Sequence, residues 1–171
     1  EGDDTIHVQR IEAETSVSAG DGNDTINVGS DAPGAGGYAN GIDAVLTING
    51  DEPATGSDTL NVDDSGDTET NVGTLTATTI EGLFGTGGSI TYGTIETLNI
   101  DLGSGNDDLS IVSTDTAATE LYTHDGADTI NVQSIVGATT VNAGEGDDTI
   151  NVESATLGAN GIAALLKING D

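Results

Sequence analysis

The sequence predicts an all-β fold: a right-handed parallel β-helix or β-roll-like solenoid, with coils of about 20 residues and Gly/Asp turns along one edge. Three observations predict it. One phrase of the form G-x-G-x-D-x-U-x-U, where U is Ile, Leu or Val, recurs along the 171 residues. Short stretches alternating apolar and polar residues flank it, which is the periodicity of strands. No segment carries an apolar stripe at helical spacing.

The phrase stands as EGDDTIHV (1–8), GDGNDTINV (20–28), GSDTLNV (56–62), GSGNDDLSI (103–111), HDGADTINV (124–132) and GEGDDTINV (144–152). Its defining acid is Asp4, Asp24, Asp58, Asp107, Asp128 or Asp148. Asp4 and Asp24 are 20 residues apart, as are Asp128 and Asp148, and Asp107 precedes Asp128 by 21. Periods of this size signal a solenoid. Alternating segments lie upstream of the turns: TSVSAG (15–20), TLNIDLG (97–103), ELYTH (120–124) and TTVNAG (139–144). Each unit therefore reads strand, Gly/Asp turn, strand, return. Val17, Ala19, Ile26 and Val28 point inward on this reading, and Ser18, Thr25 and Asn27 outward. A later coil repeats the inward set with Val141, Ala143, Ile150 and Val152.

A longer repeat lies above the coil. Residues 4–30 match 128–154 at an offset of 124, and 40–51 match 160–171 at an offset of 120. The chain thus reads as one continuous solenoid, with a supra-repeat over 1–124 and a partial second copy over 125–171. Stretches 29–44, 52–56 and 63–70 break the period and read as loop excursions at solvent-facing corners. Neither end reads as a polar cap, which solenoids need. A segment of a longer chain, or a unit that self-associates head-to-tail into filaments through unpaired strand groups, is expected.

Thirty acidic residues face two basic ones, Arg10 and Lys167, for a net charge of −28. No basic patch can be assembled against phosphates, which excludes a nucleic-acid binder, and docking on anionic membranes is disfavoured. No apolar run approaches membrane-spanning length. Cys is absent, so disulfides and thiolate metal sites are absent too. Such charge with low hydrophobicity otherwise reads as disorder; the periodicity points instead to a fold that binds cations.

The physics of the turn supplies the reason. In-register coils place turn aspartates about 4.8 Å apart, where two unit charges repel by roughly 3–4 kcal/mol at an effective dielectric of about 20. A ladder of them must be protonated, splayed or bridged. Carboxylate and carbonyl oxygens suit Ca²⁺, and glycines let the backbone turn its carbonyls toward an ion. The candidate metal ligands are Asp4, Asp21, Asp24, Asp58, Asp107, Asp125, Asp128, Glu145, Asp147 and Asp148, with Asp3 and Asp108 placed beside them. Several Ca²⁺ ions between successive coils are expected. The outward Asn27, Asn61, Asn131 and Asn151 read either as a stacked amide ladder or as plain solubilising residues.

The phrase resembles the haemolysin-type (RTX) calcium-binding nonapeptide G-G-x-G-x-D-x-U-x. Its first Gly is replaced at Ala19, Leu102 and Ala143, and one turn per coil carries the motif, which implies one calcium row rather than two. Residues 73–111, with SDTLNVDDSGD (57–67), are similar to a unit reiterated in giant extracellular bacterial proteins. That resemblance implies an extracellular or cell-surface adhesin, sheath or filament. The turns also resemble those of calcium-dependent ice-binding RTX adhesins, but the flat Thr/Asn array that ice binding needs is missing.

Three functions follow as expectations. The first is a non-catalytic, calcium-stabilised stalk or filament segment. The second is a module binding a glycan, a surface or ice, with the loops at 29–44 or 63–70 gripping the ligand and Tyr38 and Tyr92 as sugar-stacking candidates. The third, an enzyme, is disfavoured because the paired carboxylates recur in every coil instead of marking one site. Arg10 and Lys167 have no partner constellation, and His7 and His124 replace a repeated Asn and a turn Gly as surface variants.

Overall fold

A computed structural model describes residues 2–51, 56–153 and 161–170. The alternating segments form strands, because period-2 patterning gives each one an apolar face to bury. They assemble into two sheets. The first sheet has the order β1 (Thr5–Val8), β3 (Thr25–Val28), β5 (Thr59–Asp63), β9 (Thr97–Asp101), β11 (Ala118–Tyr122), β13 (Thr139–Asn142) and β15 (Leu166–Asn169). Every neighbouring pair in it is parallel. The second sheet runs β2 (Thr15–Ser18), β4 (Val45–Asn49), β8 (Ser89–Gly93), β7 (Thr79–Glu81), β6 (Val72–Leu75), β10 (Asp108–Ile111), β12 (Thr129–Val132) and β14 (Thr149–Val152). The chain alternates between the sheets, as a solenoid must. The exception is β6–β8, where three successive strands stay in the second sheet and β7 runs antiparallel to both neighbours. No helix of the described residues is long and apolar enough to cross a membrane.

The core is a set of side-chain columns between the sheets. Ile26, Leu60 and Leu98 stack in register, as do Val28, Val62, Ile100, Leu121 and Val141. All are sealed from solvent. On the second sheet, Leu46 pairs with Ile90, Leu109 with Ile130, and Ile111 with Val132. One column changes character midway: Thr119 and Thr139 continue the Leu98 column and are buried. Gly73 leaves a gap beside Leu109 that Leu83, from the turn after β7, fills. Of the predicted inward residues, Ala19, Ile26, Val28, Val141 and Ala143 are buried. Val17 and Ile150 are half-buried, and Val152 is 46% exposed, because β2 and β14 are the outermost strands of their sheet.

The expectation that the Gly/Asp turns share one edge is corrected. The phrase precedes β1, β3 and β5 in the first sheet, but β10, β12 and β14 in the second. A chain winding between two parallel sheets enters them at opposite edges, so the turns form two rows on opposite edges. The cause is the middle of the chain: from Asp58 to Asp107 it passes β5, the β6–β8 excursion and β9, which is one and a half coils. As a result, residues 4–8 and 24–28 lie in the first sheet while their matches 128–132 and 148–152 lie in the second. Corresponding segments of the supra-repeat are related by half a turn about the solenoid axis.

The loop excursions also differ from expectation. Residues 29–44 and 63–70 pack on one another at the edge that carries Asp107 and Asp128, instead of projecting. Ala32, Ala39 and Ile42 are buried, and Ile42 bridges to Ile11. The Ala39 N–H donates to Asp64 (2.8 Å), the Gly36 N–H to the Ser65 hydroxyl (2.8 Å) and the Gly66 N–H to the Gly37 carbonyl (2.9 Å). Of the excursion at 52–56, residues 52–55 lie outside the described residues.

Leu98→Ala opens a cavity between its column neighbours Leu60 and Thr119 and is expected to cost about 2–5 kcal/mol in denaturant unfolding. Val72→Thr, at a 69% exposed position, is expected to stay within about 0.5 kcal/mol of the parent.

Candidate functional site: two carboxylate ladders

The turn aspartates are joined by a contact that their sequence does not announce. Each of them after Asp4 accepts, through its side chain, the backbone N–H of the corresponding residue one coil earlier. On one edge Asp4 N–H donates to Asp24 Oδ1 (2.6 Å), Asp24 N–H to Asp58 Oδ1 (2.8 Å) and Asp58 N–H to Glu96 Oε2 (2.7 Å). On the other, Asn71 N–H donates to Asp107 Oδ1 (2.8 Å), Asp107 N–H to Asp128 Oδ1 (2.8 Å) and Asp128 N–H to Asp148 Oδ1 (3.0 Å). The linked residues are separated by 20, 34, 38, 36, 21 and 20 positions respectively. The ladders hold coils together whether the intervening loop is long or short. Hydrogen bonds to an ionised acceptor are about twice as strong as neutral ones, so each rung offsets part of the repulsion between neighbouring carboxylates.

A reciprocal contact lies one residue earlier in the turn. Asp3 Oδ1 accepts from the N–H (2.8 Å) and side-chain amide (3.1 Å) of Asn23, and Asn106 Oδ1 accepts the Ala127 N–H (2.9 Å). The lower coil donates at one position of the turn and accepts at the other. Glycine is required where these turns touch. Gly22, Gly126 and Gly146 have φ of 144°, 151° and 141°, and a Cβ on them would strike the carbonyls of Gly2, Gly105 and Gly126.

The predicted ligands therefore divide into two groups. Asp24, Asp58, Asp107 and Asp128 are buried, Asp148 is half-buried and Asp4 is exposed at the outermost coil. Asp21, Asp125, Glu145 and Asp147 are exposed on the rim. Asp108 is exposed and accepts from Asn131 (3.2 Å). Burial of the inner set leaves a residue of unmet demand: Oδ2 of Asp24, Asp107 and Asp128 is sealed from solvent without a hydrogen-bond partner. Burial pushes the Asp107 carboxyl above the usual range; the Asn71 N–H opposes this, and the charges of Asp128 and Asp67 add to it. Asp128 is raised by burial too, against the Asp107 N–H and with Asp148.

These donors match a hard divalent cation in type. Bare, buried carboxylate oxygens and glycine carbonyls at the coil contacts are what Ca²⁺ accepts. Among the described residues no three acidic or His side chains converge as a metal-binding group, so backbone carbonyls must complete any coordination shell.

Sequence reasoning missed four residues here. Glu96 ends one ladder; the signal was present, since TLNID (97–101) after Glu96 copies TLNVD (59–63) after Asp58. Asn71 opens the other ladder and has no such signature. Asp64 and Asp67, buried at 0% and 4% exposure, clamp the two loop excursions: Asp64 takes Ala39 N–H and the Asn71 amide (3.2 Å), and Asp67 takes the Asn40 amide (3.3 Å) and Glu69 N–H (2.9 Å). Burial raises the Asp64 carboxyl to about 7, with the Ala39 N–H opposing and Asp67, Asp107 and Asp63 adding.

The amide ladder is present. Asn61 donates to Asn27 and Asn99 to Asn61, both at 2.8 Å, and on the second sheet Asn151 donates to Asn131 at 2.9 Å. His7 continues the first ladder beside Asn27 (3.3 Å), and His124 meets Asp101 (3.1 Å). Arg10 pairs with Glu12 at the exposed surface. Tyr92 is buried and its hydroxyl donates to the Thr76 carbonyl (2.7 Å), so it is no sugar platform; Tyr38 is 47% exposed.

No protein-family model matches the chain, and no curated protein or solved structure shows significant similarity to it.

Asp128→Ala strands the buried Asp107 N–H and is expected to cost about 1–3 kcal/mol in calcium-free buffer. Asp128→Asn keeps an acceptor and removes a charge, so its calcium-free melting temperature is expected to equal or exceed the parent's. A second outcome concerns pH. The folded Asp64 carboxyl holds its proton more tightly than the unfolded one, with its ordinary value of 3.8. Folding therefore takes up a proton between these values, and the calcium-free protein gains stability as pH falls through about 7. Asp64→Asn should flatten that gain in melts recorded from pH 8 to 5 (the window lies roughly between the two values).

Proposed function

We propose that this chain is a non-catalytic, calcium-stabilised structural segment of a long extracellular or cell-surface filament, sheath or adhesin stalk. Its solenoid is taken to be right-handed, the hand that parallel crossovers favour. The observation that carries the reading is the bare, buried Oδ2 repeated on both edges at Asp24, Asp107 and Asp128. One orphaned carboxylate oxygen would be a local flaw. The same orphan at three turns, on both edges, is a regular provision for an ion.

In this role the inner aspartates and the glycine carbonyls hold Ca²⁺ between successive coils, with Asp21, Asp125, Glu145 and Asp147 approaching from the rim. The ion supplies positive charge that neutralises the ladder. At low calcium the chain's −28 charge favours a loose form. In millimolar calcium, sites with dissociation constants of about 10⁻⁴–10⁻³ M fill, and binding stabilises the folded state by mass action.

The test is a calcium titration followed by circular dichroism and thermal melting. A free concentration ten times the dissociation constant is expected to add about 1.4 kcal/mol per site, and excess EDTA to lower the melting temperature or swell the chain. Identical melts and identical hydrodynamic radius in 10 mM calcium and in EDTA, about the range where even weak sites saturate, would overturn the reading.

A further inference from the structure

A groove of about 300 Å³ lies on the outer face of the first sheet, walled on one side by residues 32–35. It follows the solenoid axis, because its floor is built from register partners of successive strands. One column of the floor is Asn27, Asn61, Asn99 and Glu120; the next is Asp63, Asp101 and Tyr122.

The hydrogen-bonding inventory of this floor is specific. Asn61 spends one amide proton on Asn27 and one lone pair on Asn99. An Asn side chain has two donors and two lone pairs, so one of each is left over, one coil after another, at strand spacing of about 4.8 Å. The column then reaches Glu120, the register partner of Asn99, whose Oε2 accepts the Tyr122 hydroxyl (3.3 Å). Both Asp63 oxygens are occupied, by Gly37 N–H and by Ser65. Asp101 meets His124 through Oδ1 and keeps Oδ2 in hand. At the same end the rings of Tyr122 and His124 stack, with centroids 6.3 Å apart and planes 26° apart. They form an aromatic platform at the end of the polar row.

A partner for this groove must offer hydroxyls that both donate and accept, repeated at about one strand spacing, and an apolar ring face. Anions are repelled by Asp101 and Glu120, and the lining holds no Lys or Arg. A simple ammonium would leave the spare Asn protons unused. We propose that this groove binds a linear, uncharged glycan lying along the solenoid axis, about one sugar residue per coil, with a terminal sugar ring stacked on Tyr122. This is a binding activity beyond a passive stalk, and it does not depend on whether calcium fills the ladders.

The experiment uses the 171-residue chain in calcium buffer, titrated with β-1,4-glucan, β-1,4-mannan and α-1,4-glucan oligosaccharides and with oligogalacturonate. Side-chain amide resonances of Asn61 and Asn99 report contact, and calorimetry reports affinity. At least one neutral oligosaccharide is expected to shift both amides with a dissociation constant on the order of a millimolar or tighter. Tyr122→Ala and Glu120→Ala should each weaken binding roughly tenfold, while Thr47→Ala, exposed on the other sheet, changes nothing. Glu120 is exposed, so its variant keeps the fold and carries the test if Tyr122→Ala melts early. Failure of every neutral oligosaccharide to shift these amides, preference for oligogalacturonate, or binding that survives Glu120→Ala would overturn the proposal.

Discussion

The structure depends on the bond from a backbone N–H to the carboxylate of the next turn. Stacked aspartates would push successive coils apart, yet each one after Asp4 holds the amide of the coil below at 2.6–3.0 Å. The bond uses one oxygen of each accepting side chain, and at Asp24, Asp107 and Asp128 it leaves the other bare in a dry interior. Stabilisation and unmet demand thus arise from the same geometry. A carboxylate turned outward would be better hydrated, but it would leave a buried N–H without an acceptor, which costs about as much as a lost hydrogen bond.

The two-edge arrangement follows from how the middle of the chain is wound. Glu96 ends the ladder of Asp4, Asp24 and Asp58, and Asn71 begins the ladder of Asp107, Asp128 and Asp148. Both belong to the coil that carries the β6–β8 excursion. There the charged turn moves to the opposite edge, and the DTINV strand moves from the first sheet to the second. Charge is therefore divided between two edges, which keeps the rows of like charge short. The outer amide ladders divide in the same way, with Asn27, Asn61 and Asn99 on one face and Asn131 and Asn151 on the other.

Much of this was legible residue by residue. Alternation around Ile26, Val28 and Val141 marked strands and their buried faces, and the recurrence of D-T-I-N-V marked a stack. Val17 and Val152 follow the same alternation but lie on outermost strands, so burial there depends on a neighbour and not on pattern. The antiparallel β7 was hidden because TATTIEGLFGTGGSITYG (76–93) alternates as a parallel strand would; alternation sets which face a residue takes and is silent about strand direction. The clamp made by Asp64 and Asp67 was hidden as well, since polar residues in a loop look the same whether they face water or another loop.

The sequence by itself determined the strand-and-turn units, their stacking and the identity of the turn carboxylates, because these rest on local periodicity and on residue chemistry. The tertiary structure alone decided which coil lies beside which, which edge carries each turn, and that the aspartates point inward to amides 20 to 38 residues away. Those outcomes depend on how many half-coils the chain makes between one turn and the next. That count is fixed by packing of the β6–β8 strands into the second sheet, and no short window of residues contains it.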